Sequence, residues 1–267
     1  MSARLVIVGG GRMGEALLAG LLVAEWAAPG DLAVAETAEA RRRHLEERFP
    51  DVHVVAEPVP GAGTVIAVKP DDVEAACRAV AEAGAGRVLS IAAGVRLGHL
   101  ETWLGAGVPV VRAMPNTPAL VGAGAAAIAA GTSASGDDLA WAEGVLSAVG
   151  AVVRVPERLL DAVTGLSGSG PAYVFLVAEA LIEAGVHAGL PRDVSVTLAV
   201  QTLVGSARLL SETGENPETL RAAVTSPGGT TAAGLRALED RGVRAAVLAA
   251  VQAATERSRA LGQPESN

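Results

Sequence analysis

Short apolar runs alternate with stretches of helical periodicity up to about residue 155. The first run is Leu5-Val6-Ile7-Val8, and the stretch that follows carries leucines at helical spacing from Leu17 to Leu22. Short continuous apolar runs are typical of strands that are buried on both faces of a parallel sheet. The expected strands are 5–8, 32–35, 52–55, 64–68, 87–91, 108–111, 125–129 and 152–155. This alternation predicts a doubly wound α/β sheet.

The pattern becomes helical throughout after Pro156, with no convincing strand. Helices are expected at 157–166, at 171–188 and from residue 191 to about residue 210, with a loop at 167–170 and a frayed tail at 262–267. Two of these helices are apolar over more than one face. A domain of about 110 residues has little interior in which to bury them, so we expect a second subunit to cover them.

A glycine-rich turn follows the first apolar run, with the sequence Gly9-Gly10-Gly11-Arg12-Met13-Gly14. It is a G-x-G-x-x-G motif between an expected strand and an expected helix, which is the context of dinucleotide-binding turns. The helix N-terminus adds free N–H groups and a positive dipole for the phosphates. We therefore predict a Rossmann-type domain over residues 1–155, with Gly9, Gly11, Arg12, Met13 and Gly14 at the coenzyme.

An acidic residue, Glu36, follows the second expected strand and lies 22 residues beyond Gly14. This is close to the spacing at which a carboxylate contacts the adenosine ribose, where it favours the 2′-hydroxyl of NAD over the 2′-phosphate of NADP. Arg41, Arg42 and Arg43 come next, and they either turn toward such a phosphate or form a solvated face. The sequence therefore predicts NADPH or NADH as the coenzyme without choosing between them.

Lys69 is the one lysine among the 21 basic residues of the chain. A lysine retained in so arginine-rich a sequence suggests a need for a compact ammonium group, although chance retention is the alternative. It lies in Ala67-Val68-Lys69-Pro70, at the carboxyl end of an expected strand, where open parallel sheets bind ligands. We predict that these four residues contact the coenzyme and that Lys69 takes part in catalysis.

A second segment, Met114-Pro115-Asn116, follows another expected strand at the same edge of the sheet. This place favours a lining of the nicotinamide pocket, in which Asn116 would form a hydrogen bond. For the serine and glycine residues at 167–170, a tight turn between helices is at least as good an interpretation as a ligand contact.

Composition narrows the class of partner. The chain has 267 residues, a net charge of −8 and six aromatic residues, which argues against a nucleic-acid surface.

Its single cysteine, Cys77, fits a reducing cytosol and is expected in the core. No segment is typical of a signal peptide or of a transmembrane helix, so a soluble cytoplasmic protein without a membrane partner is expected. No histidine lies in a recognisable motif, and no metal site is expected.

Five motifs together resemble the pyrroline-5-carboxylate reductase family over nearly the whole chain. They are GGGRMG at 9–14, AVKP at 67–70, RAMPNTP at 112–118, SGSGPAY at 167–173 and TSPGGTT at 225–231. The resemblance implies a Rossmann domain followed by an all-helical dimerisation domain, residues 156–267, and an interlocked dimer that often assembles into a decamer. It also implies NAD(P)H-dependent reduction of the cyclic imine 1-pyrroline-5-carboxylate to L-proline, with NADPH the commoner coenzyme.

The turn at 226–231 precedes an expected helix, so its N–H groups and hydroxyls suit the carboxylate of such a substrate. The predicted substrate contacts are Ser226, Gly228, Gly229, Thr230 and Thr231. In the family, the threonine that matches Thr231 hydrogen-bonds the ring nitrogen, which implies a catalytic role for it. A plain helix-capping loop is the structural alternative.

Two other functions compete with this one. Another imine or keto-acid reductase on the same two-domain plan would share the glycine motif, although it should lack the TSPGGTT turn. A non-catalytic nucleotide-binding protein would bind the coenzyme without needing a carboxylate pocket.

Overall fold

A computed structural model describes residues 3–262 of the chain, and within them eight strands form a single sheet in the order β3-β2-β1-β4-β5-β6-β7-β8. The strands are β1 Leu5–Val8, β2 Leu32–Ala35, β3 His53–Val55, β4 Thr64–Ile66, β5 Val88–Ser90, β6 Val110–Met114, β7 Gly124–Ala130 and β8 Gly150–Arg154. Strands β1 to β6 are parallel, in the strand order of dinucleotide-binding sheets. The predicted doubly wound α/β sheet is confirmed.

Strand β7 reverses direction and pairs antiparallel with β6, while β8 is parallel to β7. The connection between β6 and β7 is short and contains only the 3₁₀ turn Thr117–Val121. A parallel crossover needs a dozen or more residues, so this connection permits only an antiparallel return.

The helices are α1 Arg12–Val23, α2 Glu39–Arg48, α3 Val73–Ala83, α4 Leu97–Leu104, α5 Gly136–Leu146, α6 Leu160–Val163, α7 Gly170–His187, α8 Arg192–Thr213, α9 Pro217–Ala223, α10 Thr230–Asp240 and α11 Val243–Leu261. The expectation of a loop at 167–170 is wrong. A π-helical turn, Thr164–Gly168, follows α6, and α7 begins at Gly170. The polar side chains of Thr164 and Ser167 do not break the helix because each donates to the carbonyl four residues earlier.

The two faces of the sheet are covered by different helices, because successive residues of a strand point to opposite sides. Leu5 and Ile7 of β1 belong to one buried cluster, with leucines of α1 and with Val145 of α5. Val6 and Val8 belong to the other, with Val73 of α3 and Leu100 of α4. Strands β1, β2, β4 and β5 are therefore buried on both faces, as their continuous apolar runs predict, whereas the edge strands β3 and β8 are partly exposed.

The chain divides into two compact units. Of the described residues, the first contains 3–169 together with 252–262, and the second contains 170–251. The last turns of α11 belong to the first unit, where Ser258 Oγ donates to Asp161 Oδ1 at 2.7 Å. The domain boundary expected at 155/156 remains a prediction. Of the expected tail, residues 263–267 lie outside the described residues.

The second unit is helical, and α7 and α8 pack against each other within it. Ser195 Oγ of α8 donates to the Ile182 carbonyl of α7 at 2.7 Å, and a side chain at Gly185 would collide with Ser195. Within one chain these helices leave many large apolar side chains exposed. Examples are Phe175 at 61% and Leu198 at 53% of full exposure.

Two helical stretches, Glu157–His187 and Arg192–Thr213, are long and apolar enough to cross a membrane by length and composition. The sequence pattern led us to expect none. Length and composition alone are weak evidence for a membrane span, since a core helix of a soluble protein passes the same test.

Candidate functional site

The glycine-rich turn between β1 and α1 has the geometry that its motif predicts. Gly9 has φ +103°, and a Cβ there would lie 2.7 Å from the Ala67 carbonyl oxygen. A Cβ at Gly14 would collide with the Gly9 carbonyl oxygen. Only glycine therefore permits both the bend and the close packing of α1 on the strand end.

The start of α1 provides an open cradle for an anion. Gly11 is the N-cap residue, no side chain caps the helix, and a Cβ built on Gly11 would meet nothing within 4 Å. The first N–H groups of a helix have no intrahelical partner, and the dipole there is positive. This cradle fits the pyrophosphate of a dinucleotide. Arg12 is exposed beside it, whereas the side chain of Met13 packs against the core.

Glu36 lies at the carboxyl end of β2, next to the glycine-rich turn. Its Oε2 accepts the backbone N–H of Gly10 at 2.9 Å, and its Oε1 accepts the N–H of Ala38 at 2.9 Å. The carboxylate is therefore fixed by two backbone donors at the place where sequence spacing predicts the adenosine ribose.

The three arginines after Glu36 have different surroundings. Arg43 is exposed and pairs with Glu39 one turn away, as a solvated helix face requires. Arg41 Nε donates to the Gly10 carbonyl at 2.6 Å. Arg42 Nη1 donates to the carbonyls of Glu36 at 2.9 Å and Thr37 at 2.7 Å. Two of the three therefore bind backbone next to the predicted ribose site.

A cavity of about 860 Å³ lies along the carboxyl edge of the sheet. Six of the predicted coenzyme contacts line it: Gly9, Gly11, Glu36, Ala67, Val68 and Lys69. Arg12, Met13, Gly14, Pro70 and Asn116 do not, and Pro70 instead begins the 3₁₀ turn Pro70–Asp72. Among the described residues lining the cavity, Lys69 is the one cation, against four carboxylates of Glu36, Glu57, Asp72 and Glu82.

Other lining residues were missed by sequence reasoning. Helix α3 presents a row of small side chains to the cavity, Ala75, Ala76, Ala79 and Ala83, and the segment after β3 adds Ala56, Glu57 and Pro58. Alanine side chains have no functional group, so no sequence motif identifies them as cavity residues. The segment after β3 could have been predicted from its position, since the chain after β3 leaves the same edge of the sheet as Glu36.

Asn116 is held by backbone groups on both sides of its amide. Its Nδ2 donates to the Ser167 carbonyl at 3.0 Å, and its Oδ1 accepts the Ala125 N–H at 2.8 Å. Nearby, a Cβ at Gly168 would lie 2.6 Å from the Met114 methyl carbon. The close packing proposed for the glycines at 167–170 is therefore present at Gly168.

Cys77 is fully buried in α3. Burial, with a smaller contribution from the charge of Glu74, raises the pKa of its thiol to about 12. This burial confirms the expectation of a core residue, and a thiol whose pKa is raised is a poor nucleophile at neutral pH. Across residues 3–262, no group of three or more His, Cys, Asp and Glu side chains is placed to hold a metal ion.

The turn at 226–231 lies in the second unit. The Gly229 N–H donates to the Ser226 carbonyl at 3.0 Å, and Gly228 has φ +71°, as in a type II turn with proline at its second position. Gly229 is then the N-cap residue of α10, and no side chain caps that helix. Thr230 and Thr231 form its first turn, with Thr231 half-buried. The N–H groups of this turn suit a carboxylate.

Two family models match the chain. One, described as pyrroline-5-carboxylate reductase dimerisation, matches residues 157–261, which include the apolar helices α7 and α8. The other, described as NADP oxidoreductase coenzyme F420-dependent, matches residues 4–94, which include the glycine-rich turn, Glu36 and Lys69.

Full-length relatives and solved structures that resemble the chain are also pyrroline-5-carboxylate reductases. The pyrroline-5-carboxylate reductase of Synechocystis sp. is 47% identical over 98% of this chain and 100% of its own length. The solved structure of a pyrroline-5-carboxylate reductase from Coxiella burnetii has a TM-score of 0.93 at 34% identity, covering 98% of this chain and 99% of its own. The pyrroline carboxylate reductase of Plasmodium falciparum, solved with NADP bound, has a TM-score of 0.83 at 30% identity and 98% coverage of both chains.

Proposed function

Because this chain belongs to the pyrroline-5-carboxylate reductase family, we propose that it reduces 1-pyrroline-5-carboxylate to L-proline with NADPH or NADH, the last step of proline biosynthesis. One observation carries the proposal: identity of 47% extends over 98% of this chain and the whole length of a relative. The glycine-rich turn and the turn at 226–231 both fall inside that match. Another reductase or a nucleotide-binding protein would share only the first of them.

The reaction adds a hydride to the carbon of a C=N bond and a proton to its nitrogen. The reduced nicotinamide coenzyme supplies the hydride when it is bound. Residues of the chain have two remaining tasks, which are to hold the substrate carboxylate and to orient the imine nitrogen. We infer that the proton comes from water or from an imine that is already protonated. Catalysis then depends on positioning and electrostatics.

The coenzyme contacts proposed here are Gly9, Gly11, Arg12, Met13, Gly14, Glu36, Ala67, Val68, Lys69, Pro70 and Asn116. Support comes from the open helix N-terminus after Gly11 and from the cavity that six of these residues line. Lys69 is an exposed cation at the carboxyl end of β4, where it would balance part of the coenzyme's negative charge. We assign it a catalytic role on this basis.

The substrate carboxylate is assigned to the turn formed by Ser226, Gly228, Gly229, Thr230 and Thr231. Its support is the uncapped N-terminus of α10, an 11-residue helix whose first N–H groups suit an anion. The half-buried Thr231 would hydrogen-bond the ring nitrogen through its hydroxyl. A neutral imine nitrogen accepts that bond, and a protonated one donates it.

The proposed assembly is a homodimer formed through the helical part of the chain. Its support is the dimerisation family model at 157–261 and the exposed apolar side chains of α7 and α8, which a second copy would cover. Further assembly into a decamer and a cytoplasmic location belong to the same proposal, as does the division into domains at 1–155 and 156–267. The buried free thiol of Cys77 is compatible with a reducing compartment.

Coenzyme oxidation by the purified protein tests the activity directly. We expect turnover with 1-pyrroline-5-carboxylate and none with open-chain keto acids, and formation of proline from the imine. Equal or faster turnover of a keto acid would contradict the proposal.

A Thr231→Ala variant tests the site. It should lower kcat/KM for the imine, with a loss of transition-state stabilisation on the order of 1–3 kcal/mol, as expected when one hydrogen bond to the reacting nitrogen is removed. The affinity for the coenzyme should not change. Thr102→Ala is the matched control, since the Thr102 hydroxyl donates to the Gly98 carbonyl on the exposed face of α4, away from the proposed site and interface. Similar losses in both variants would remove Thr231 from the site.

A further inference from the structure

We propose that this reductase selects NADH over NADPH, and that Glu36 is the residue that imposes the choice. The inference rests on the proposed function only in taking a nicotinamide dinucleotide as the hydride donor. It is carried by the hydrogen bonds of Glu36, Arg41 and Arg42 and by the charges that line the cavity.

Glu36 presents a carboxylate whose position is set before any coenzyme binds. Each oxygen accepts one backbone N–H at 2.9 Å, from Gly10 on one side and from Ala38 on the other. Each oxygen keeps a second lone pair, and the side chain lines the cavity. A ribose 2′-hydroxyl can donate to such an oxygen, whereas a 2′-phosphate has no proton to donate when fully ionised and is repelled.

The arginines that could bind a 2′-phosphate are already engaged with other groups. Arg42 bonds the carbonyls of Glu36 and Thr37, and Arg41 bonds the Gly10 carbonyl and pairs with Glu15. Neither side chain lines the cavity. Turning Arg42 toward a phosphate would leave two backbone carbonyls without that donor, so the attraction gained would be offset by the bonds lost.

The charges of the cavity act in the same direction. Among the described residues that line it, four carboxylates face a single ammonium group, that of Lys69. A 2′-phosphate adds almost two negative charges to the adenosine half of the coenzyme, and like charges within a few ångströms repel. NADH lacks this group.

Binding of the two reduced coenzymes to the full-length protein, followed by fluorescence, provides the test without substrate. We expect the Kd for NADH to be at least about tenfold lower than the Kd for NADPH, and the kcat/KM ratio with the imine to favour NADH similarly. Equal affinities, or a preference for NADPH, would overturn the proposal. If NADH binds selectively but the imine is not reduced, the proposed function fails while this inference stands.

Variants separate the role of Glu36 from that of the arginines. Glu36→Ser removes the charge and should shift the Kd ratio toward NADPH by about tenfold or more. Glu39→Gln is the matched control, because Glu39 pairs with Arg43 on the exposed side of α2 and does not line the cavity. A Kd ratio that is unchanged in Glu36→Ser would contradict the assignment.

Arg42→Gln distinguishes the alternative, in which this guanidinium turns to bind a 2′-phosphate. If Arg42 only supports the backbone, its loss weakens both coenzymes to a similar extent. A selective loss of NADPH binding would identify it as a phosphate ligand and overturn the proposal. Since this variant retains Glu36, its result does not depend on whether Glu36→Ser folds.

Discussion

The side-chain amide of Asn116 donates a hydrogen bond of 3.0 Å to the carbonyl oxygen of Ser167, which lies 51 residues further along the chain. The other end of the amide accepts the Ala125 N–H at 2.8 Å. One side of the amide thus meets an acceptor and the other a donor, so the orientation of the group is determined. Asn116 connects the strand ends of β6 and β7 to the π-helical turn before α7.

Asn116→Asp is expected to destabilise the protein. The Ala125 N–H keeps an acceptor, but the second carboxylate oxygen faces the Ser167 carbonyl, and two acceptors repel. The expected loss is about 1–3 kcal/mol near neutral pH, measured by urea unfolding at fixed protein concentration. The loss should shrink in acid, where a protonated carboxyl can again donate to Ser167.

Asn216→Asp is the control for this change. Asn216 is the N-cap of α9, where its Oδ1 accepts the Glu218 N–H at 3.0 Å. Aspartate caps a helix as well as asparagine does, so this variant should be close to neutral. Equal stabilities of Asn116→Asp and the wild type would show that the bond to Ser167 is not formed in solution.

Lys69→Arg is expected to reduce activity although the charge is retained. The planar guanidinium is larger than an ammonium and distributes its donors differently, so it should not fit the same place beside the coenzyme. We expect kcat/KM to fall by roughly tenfold, or about 1.4 kcal/mol. Arg78→Lys, on the exposed face of α3, is the reverse exchange and should have no effect. Full activity of Lys69→Arg would show that the ammonium group is not required and that the single lysine was retained by chance.

Glu15→Gln should change the pH dependence of stability. Burial raises the pKa of Glu15, but hydrogen bonds and charge from Arg41, with His44 and Arg48, outweigh it and hold the pKa below its ordinary value of 4.5. A lowered folded pKa stabilises the protein above about pH 4.5, and this contribution disappears as pH falls through the folded value. The variant should be less stable by roughly 1–2 kcal/mol near neutral pH, with the difference decreasing in acid.

Urea unfolding of both proteins at about pH 7 and about pH 3 measures this difference. Glu212→Gln is the control, since Glu212 pairs with Arg208 on an exposed helix surface and such pairs contribute little. A stability difference that does not depend on pH would indicate that Glu15 acts through packing instead.

The sequence predicted the sheet and its glycine-rich turn because these depend on local patterns. Apolar runs identify buried strands, and the spacing of Gly9, Gly11 and Gly14 defines the turn geometry. The reversal at β7 was not predicted, since strand direction depends on connection length, which residue periodicity does not report. The expected loop at 167–170 was wrong because serine and glycine normally interrupt helices, whereas here Asn116 and the helix carbonyls satisfy the local polar groups.

Residues of the candidate site could be predicted from the sequence where a charged side chain directly follows a strand. Glu36 and Lys69 are charged residues at strand ends, and both line the cavity. The alanines of α3 that form the wall of this cavity carry no signal in the sequence. The partners of Arg41 and Arg42 could not be predicted either, because backbone carbonyls accept hydrogen bonds at every position of the chain.

Mixing two variants that are each impaired at a different part of the site tests whether the proposed dimer shares its active sites. Gly11→Asp places a carboxylate in the phosphate cradle, and Thr231→Ala removes the proposed hydroxyl at the imine nitrogen. These lesions lie in different compact units. If the coenzyme residues of one copy act with Thr231 of the other, a mixed dimer has one site with both lesions and one site with neither. Activity should then recover toward about half of the wild-type value per mixed dimer.

The alternative arrangement gives a different result. If each copy builds its own site, both sites of a mixed dimer carry one lesion, and the activity does not rise above the residual activity of the Thr231→Ala copy. Subunit exchange must be shown separately, by isolating dimers in which the two copies carry different affinity tags. Mixing each variant with itself is the control for recovery by refolding alone. We expect recovery, because an interlocked dimer of the kind that the family resemblance implies would bring Thr231 of one copy to the coenzyme of the other. Confirmed exchange without activity would assign each site to a single chain.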